Sequence, residues 1–373
     1  MSSTKRNILF VIRRFTVGGS QVNLLSIINE LDKRNYKVCL MSDSGVLIDK
    51  LPNTVKWFDF PFVNLRHPNV KFYREIVEIV KKEDIDFVFG IDPVLSVETY
   101  LSYFFHRTPV YGIITAQNVP ITFTKKWPTI FVNKSRENIY KELFGLHKTY
   151  YVKERLDTNR FLFNNDKKSD IIKIGLVSRL NPIKEDSIFS VLDFFDELNT
   201  NDNSQKYQFS VYGGGKLLKS LKEKYKKSNI IFHGEVIDVE KSFHELNVVF
   251  GMASSIIQGM ASNCISVVVG DKGIHGVVTQ DNINYLAENH FNLHEKAGMN
   301  NTELNNQLTY YLSNLNELSF YEDYVNANYS VVKGINKIET IIAEKYSGDN
   351  FVSTLCVIIK FKFSSFFKRF KNN

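Results

Sequence analysis

The sequence predicts an α/β fold of two domains, each a doubly wound, mostly parallel sheet with helices on its faces. Three observations lead there. Short runs rich in Val, Ile, Phe and Tyr recur along the 373 residues, separated by longer stretches of helical period, which is the alternation of βαβ units. The chain is 43% hydrophobic and 23% charged with 8 prolines, an ordinary globular composition, and its length favours two cores over one. A polar patch, NNDKKSD at 164–170, interrupts the alternation and reads as a domain linker.

In order, the first series has strands at 8–12, 37–41, 86–91, 110–114, 129–133 and 149–152, with helices between them. The second has strands at 171–178, 208–213, 229–232, 248–251 and 265–269. The lysine-rich KLLKSLKEKYKK at 216–227 reads as a solvated helix face. The segment GDKGIHG at 270–276 reads as a flexible polar loop, and after about residue 300 the pattern is wholly helical. The expected division is therefore 1–163, 164–345 and a basic amphipathic tail at 346–373. No repeat of matching residues relates the halves.

Net charge is +7, but five basic residues and no acid lie in the last 23 positions, which leaves +2 for the rest. With no zinc-finger spacing, RNP aromatic motif or basic stripe in the body, nucleic acid is not an expected partner. The cysteines, 3 in number, are scattered in apolar runs, so neither a disulfide framework nor a zinc site is expected and a reducing compartment is. The opening MSSTKRNILFVI runs straight into Arg13 and Arg14, unlike a signal peptide. No apolar run reaches the length of a spanning helix.

Ligands of open α/β sheets bind beyond the carboxyl ends of the strands, so the residues just after each strand carry the functional reading. RRFTVGGSQ comes after the first, with Gly18 and Gly19 ahead of an amphipathic helix. Such a pair lets backbone N–H groups approach an anion, or simply makes a tight turn. SRLNPIKED comes after the strand at 171–178 and brings Arg179 and Lys184 to a helix start near Glu185. Two cations there suit a diphosphate, or form a plain surface pair. Gly213, Gly214 and Gly215 close the next strand. Ser254 or Ser255 can cap a helix that carries Gln258 one turn in. Glycines, hydroxyls and cations after nearly every strand point to a cleft between the domains. Asp84-Ile85-Asp86 precedes a strand, the wrong end for a metal clamp, and His275 and Glu235 rank as ordinary loop residues. No HExxH or GxSxG motif is present.

GGSQ after the first strand, SRLNPIKE opening the second domain, VYGGG, NIIFHGEV and SIIQGMASNCISVVV together resemble the GT-B glycosyltransferases, particularly glycosyltransferase family 4, over most of residues 8–280. RLDTNRF at 155–161 resembles the family's interdomain segment. The resemblance implies two Rossmann-like domains facing a cleft, a C-terminal helical extension, and metal-independent transfer of a sugar from a nucleotide-sugar co-substrate, usually with retention and with no other cofactor. It implies Arg179 and Lys184 as the catalytic cations on the donor diphosphate, and Gly213–Gly215, Ser254, Ser255 and Gln258 around the donor. Gly18, Gly19, Gln117 and Asn118 fall on the acceptor side. Two glutamate positions of the family are Phe250 and Gln258 here, and a family histidine is replaced by Gln117.

The tail FVSTLCVIIKFKFSSFFKRFKNN, taken as a helix, puts Leu355, Ile359, Phe363, Phe366 and Phe370 on one stripe among basic residues, which suits an anionic membrane surface. The expected protein is thus a cytoplasmic, peripheral inner-face bacterial glycosyltransferase acting on a lipid-linked or growing surface polysaccharide. The alternatives are a non-catalytic nucleotide-sugar-binding or partner subunit of an assembly complex, and a nucleotide-sugar 2-epimerase.

Overall fold

The computed structural model describes residues 6–62, 70–115, 125–153, 155–161, 170–200, 206–293, 297–344 and 346. The chain divides into two compact units, the first comprising Met1–Thr16, Ser20–Arg155 and Val331–Asn373, the second Val17–Gly19 and Leu156–Ser330.

The first unit holds a 7-stranded sheet. Its strands are β1 (Asn7–Arg14), β2 (Lys37–Asp43), β3 (Lys56–Asp59), β4 (Phe87–Ile91), β5 (Val110–Ile114), β6 (Thr129–Phe131) and β7 (Thr149–Tyr151), in the order β3-β2-β1-β4-β5-β6-β7. Every pairing is parallel. All of β5 and the middle of β1 are buried, as a parallel sheet covered on both faces requires. The covering helices are α1 (Gly19–Lys33), α2 (Val70–Lys82), α3 (Pro93–His106) and α4 (Lys134–Phe144). α2 shows why they form: Phe72, Ile76, Ile79 and Val80 are buried on one side, and Lys81 and Lys82 in the last turn complement the helix dipole. β3 was not expected. It is an edge strand in which only Phe58 is shielded, so KWFD carries no alternating apolar signal.

A 6-stranded sheet forms the second unit, in the order β10-β9-β8-β11-β12-β13. Its strands are β8 (Ile172–Val177), β9 (Tyr207–Tyr212), β10 (Ile230–Gly234), β11 (Val248–Gly251), β12 (Ile265–Gly270) and β13 (Gly273–Val277). β13 runs antiparallel to β12 and the other pairs are parallel. The helices are α5 (Glu185–Thr200), α6 (Leu218–Lys224), α7 (Val239–Glu245), α8 (Ser254–Ala261), α9 (Ile283–Glu288), α10 (Asn301–Ser313) and α11 (Phe320–Asn328). α6 is shorter than the lysine run, and its lysines are exposed as expected. The loop reading of 270–276 is corrected: GIHGV is a strand, and its glycines sit at φ 122° (Gly273) and 97° (Gly276), a conformation glycine adopts without penalty.

Among the described residues the last helix, α12 (Val331–Ala343), belongs to the first unit. The Arg34 guanidinium donates to Asn336 Oδ1 (2.7 Å), Glu339 Oε2 (3.1 Å) and the Val332 carbonyl (3.0 Å), and Ile335, Ile338, Ile341 and Ile342 are buried beneath. The expected boundary at 345 is thereby moved to Ser330/Val331, and that at 163 to Arg155/Leu156. The cause of the second shift is packing: Leu156 and Phe161 lie in the core of the second unit, so the chain has joined that core before the polar patch begins. Leu156 N–H also donates to the Tyr329 carbonyl (2.8 Å). Of the expected linker 164–170 only Asp170 lies among the described residues, and the tail 351–373 lies outside them.

Candidate functional site

Each sheet reverses its strand order once, between β1 and β4 in the first unit and between β8 and β11 in the second. Such switch points open a crevice at the carboxyl ends of the strands.

In the second unit the chain leaves β8 through Ser178, Arg179 and Leu180, while β9 ends on Gly213–Gly215. The two loops lie backbone to backbone. Ser178 N–H donates to the Tyr212 carbonyl (3.1 Å), Leu180 N–H to the Gly214 carbonyl (2.9 Å) and Leu217 N–H to the Leu180 carbonyl (3.0 Å). A Cβ on Gly213 (φ 153°) would stand 1.9 Å from the Ser178 carbonyl oxygen, and one on Gly215 (φ 144°) 2.4 Å from that of Leu180. The glycines therefore have a structural reason that needs no ligand: a side chain at either would push the loops apart. Their effect is to fix where Arg179 stands.

After a 3-10 turn at Pro182–Lys184, α5 begins at Glu185. Arg179 is exposed and Lys184 half-buried, and the Lys184 ammonium donates to Ser178 Oγ (3.3 Å). Burial first, and then the charge of Arg179, hold the amine's pKa down at about 8, with Asp271 opposing both. Arg179 and Lys184 thus both lie on the connection between β8 and α5, where sequence reading expects them, and Asp271 stands at the turn after β12, which sequence reading takes as a loop. Its signal was available only through the hairpin: β12 and β13 pair Gly270 with Gly273, leaving Asp271 and Lys272 as a tight turn.

α8 starts beside the same edge. Ser254 is half-buried at its first turn. Ser255 is turned inward instead, its hydroxyl donating to the Met252 carbonyl (2.9 Å) and accepting from Met252 N–H (3.2 Å). Ala253, just ahead of the helix, holds φ 52° and ψ −119°, a conformation that costs a non-glycine residue about 1–3 kcal/mol. Gln258 is 6% exposed. Phe250, the other glutamate position of the resemblance, lies in β11 with no exposed surface and packs on Phe194 and Phe195 at ring-centroid distances of 5.8 and 5.2 Å.

Beyond the end of β1 Gly18 is buried and Gly19 exposed, and Val17–Gly19 group with the second unit. Gln117 and Asn118 lie outside the described residues. Asp92, which sequence reading missed, ends β4 at φ 75° and ψ 154° and accepts from Thr115 Oγ1 (2.7 Å). Its strain stands at the switch point, the place in the first unit where α8's Ala253 stands in the second. Asp86 accepts from Asn7 N–H (2.8 Å) at the start of β1, so the Asp84–Asp86 triplet is at the amino end of the sheet, away from this edge. His275 is on β13 and Glu235 is exposed after β10.

No protein-family profile matches the chain, and no curated protein does. Solved structures do. A glycosyltransferase from Rickettsia africae is 16% identical with a TM-score of 0.68, covering 91% of this chain and 100% of its own. Anabaena HepE in complex with UDP and glucose is 15% identical with a TM-score of 0.67, covering 91% and 99%. WaaG, a glycosyltransferase involved in lipopolysaccharide biosynthesis, is 12% identical with a TM-score of 0.64, covering 90% and 100%.

The fold is GT-B. At these identities the GT-B likeness is one of backbone, and in this chain it is built on two mostly parallel sheets. No helix of the described residues is long and apolar enough to cross a membrane.

Proposed function

We propose that this chain is a glycosyltransferase that moves a sugar from a nucleotide-sugar donor to a saccharide acceptor. The observation that carries the reading is the Arg179–Lys184 pair at the carboxyl edge of β8, beside the β8/β11 switch point of a GT-B fold. HepE, with the same fold, is described with UDP and glucose bound, which supports a nucleotide-sugar donor.

In such a transfer the bond from the anomeric carbon to the phosphate breaks, and negative charge grows on the leaving diphosphate. The Arg179 guanidinium and Lys184 ammonium would stabilise that charge, each charge-assisted bond contributing about 1.5–3 kcal/mol, with the start of α8 adding its positive end. We read the reaction as metal-independent and retaining, as in glycosyltransferase family 4. The acceptor we favour is a lipid-linked or growing surface polysaccharide met at the inner face of a bacterial membrane. The support for a membrane surface is the tail, whose five phenylalanines between 361 and 370 stand among the basic residues Lys362, Lys368 and Arg369.

A second reading has its own observation. With Phe250 in the core and Gln258 in place of an acid, neither glutamate position supplies a carboxylate for the donor, which weakens donor binding by about 1 kcal/mol or more. That favours a nucleotide-sugar-binding subunit without turnover. Incubation with a panel of UDP- and GDP-sugars and a membrane lipid extract separates the two. Acceptor-dependent release of free nucleotide is the outcome expected of the transferase; donor binding without release would leave only the binding subunit.

A further inference from the structure

The last turn of α3 carries three aromatic residues in a row, Tyr103, Phe104 and Phe105, and Phe105 is 62% exposed. Its side chain is nonetheless held in place. The ring stacks on that of Tyr73, from α2, at a centroid distance of 5.6 Å, and the Tyr73 hydroxyl donates to the buried Glu98 of α3. A large apolar group is thus braced in solvent at a helix end. At the same end the Arg107 guanidinium lies over the rings of Tyr103 (5.7 Å) and Phe104 (5.4 Å), and Arg6, just before β1, lies over Phe87 (5.6 Å). Carboxylates of the surrounding elements have other partners: Glu98 has Tyr73, Asp86 has Asn7 N–H (2.8 Å) and Glu344 has the Tyr150 hydroxyl (2.6 Å).

The described chain ends on this surface. Tyr346 packs its ring on Tyr103 (5.6 Å) and Tyr111 (5.7 Å), so the sequence from 347 onward departs from the same end of α3. That sequence holds one acid, Asp349, against Lys360, Lys362, Lys368, Arg369 and Lys371.

We propose that this end of α3, with Phe105, Arg107 and Arg6, is the face by which the first unit docks on an anionic lipid surface. The lipid rests on the membrane reading above; the face gives that contact a place in the fold. Charge decides the occupant. Patch and tail are both cationic and aromatic, so the tail folded back would set cation against cation, and a second copy of the patch would do the same. An anionic bilayer suits both at once, because guanidiniums reach the headgroups while phenylalanine rings enter the boundary with the acyl chains. The other edge of the sheet stays clear. Asp92 precedes α3, and the helix sets Phe105 about 20 Å from it along the axis, so docking here leaves the carboxyl ends of the strands open.

The test uses the full chain and phosphatidylcholine vesicles with or without phosphatidylglycerol. Phe105→Trp reports contact directly. Compared with the native chain, which already has Trp57 and Trp127, its emission should move to shorter wavelength and be quenched by acyl-brominated lipid only when phosphatidylglycerol is present. In sedimentation, Arg107→Gln should weaken binding about fivefold and Phe105→Ser about tenfold. Should Phe105→Ser not fold, Phe105→Trp, which keeps a ring on Tyr73, still decides the matter. Native-strength binding in the variants with no quenching of Phe105→Trp overturns the proposal and leaves the tail as the membrane contact. Replacing the five tail cations by Gln gives the converse: binding that survives this change but falls with Phe105→Ser keeps the face and sinks the tail reading. A native chain that never sediments with the vesicles sinks both. Phe105→Trp emission already at short wavelength without lipid would give the face to the tail or to a second copy, and overturns the proposal as well.

Discussion

Lys184 is under opposed demands, since a site for a diphosphate requires a charged amine and the fold half-buries it. Its pKa in the folded chain, about 8, lies below that of a free lysine, so folding disfavours the charged form. The cost to stability is therefore full below about pH 8 and vanishes as pH rises to the free-lysine value near ~10.4. Lys184→Met should accordingly be more stable than the native chain at neutral pH, by roughly 1–2 kcal/mol once partial exposure is allowed for. It should also lose most donor binding, and the stability gain should fade toward about pH 10. Denaturant midpoints at the two pH values check this, and a native chain that is the more stable at neutral pH would refute it. The position of Arg179 and Lys184 between β8 and α5 was legible in SRLNPIKE because a strand ending on two cations before a helix is a local pattern. The tight turn at Asp271 was not, because it depends on the β12–β13 pairing and on contacts to Ser187 and Leu293, far away in sequence. Nor was Ser255's inward turn, which depends on how Met252 closes the β11–α8 connection.

At the scale of elements, most of the strands that were read correctly are buried, where an unbroken apolar run leaves little ambiguity, and the partly exposed β7 and β10 were still found by their aromatic and β-branched residues. β3 and β13 were missed for opposite reasons. The first is exposed and reads as polar; the second is buried but built on Gly273 and Gly276, residues that argue for a loop when taken alone. α12 was read as helix and given to the wrong domain, since nothing in VVKGINKIETIIA names Arg34 as its partner. For the tail, composition is the whole argument: apolar residues at helical spacing among Lys360, Lys362, Lys368, Arg369 and Lys371, each worth up to about 1 kcal/mol at an anionic surface. Deletion of 351–373 should move the protein from pellet to supernatant when it is sedimented with phosphatidylglycerol vesicles. Partitioning that survives the deletion would remove the tail from any account of membrane contact.

For the whole molecule, 16% identity beside a TM-score of 0.68 means that the backbone likeness persists where most residues differ. The alternation of strands and helices in this chain was readable from apolar period, apart from β3 and β13. The division of the chain was readable only approximately, because packing of Leu156 and Phe161 into the second core overrides the polar signal of the patch after them. The functional claim is narrower than the fold: the second unit holds a nucleotide diphosphate by a guanidinium and an ammonium set at one strand end. A crystal structure of the chain soaked with UDP tests it most directly. The account predicts the diphosphate oxygens within about 3 Å of both the Arg179 guanidinium and the Lys184 ammonium. A diphosphate bound elsewhere, with both side chains facing solvent, would contradict it.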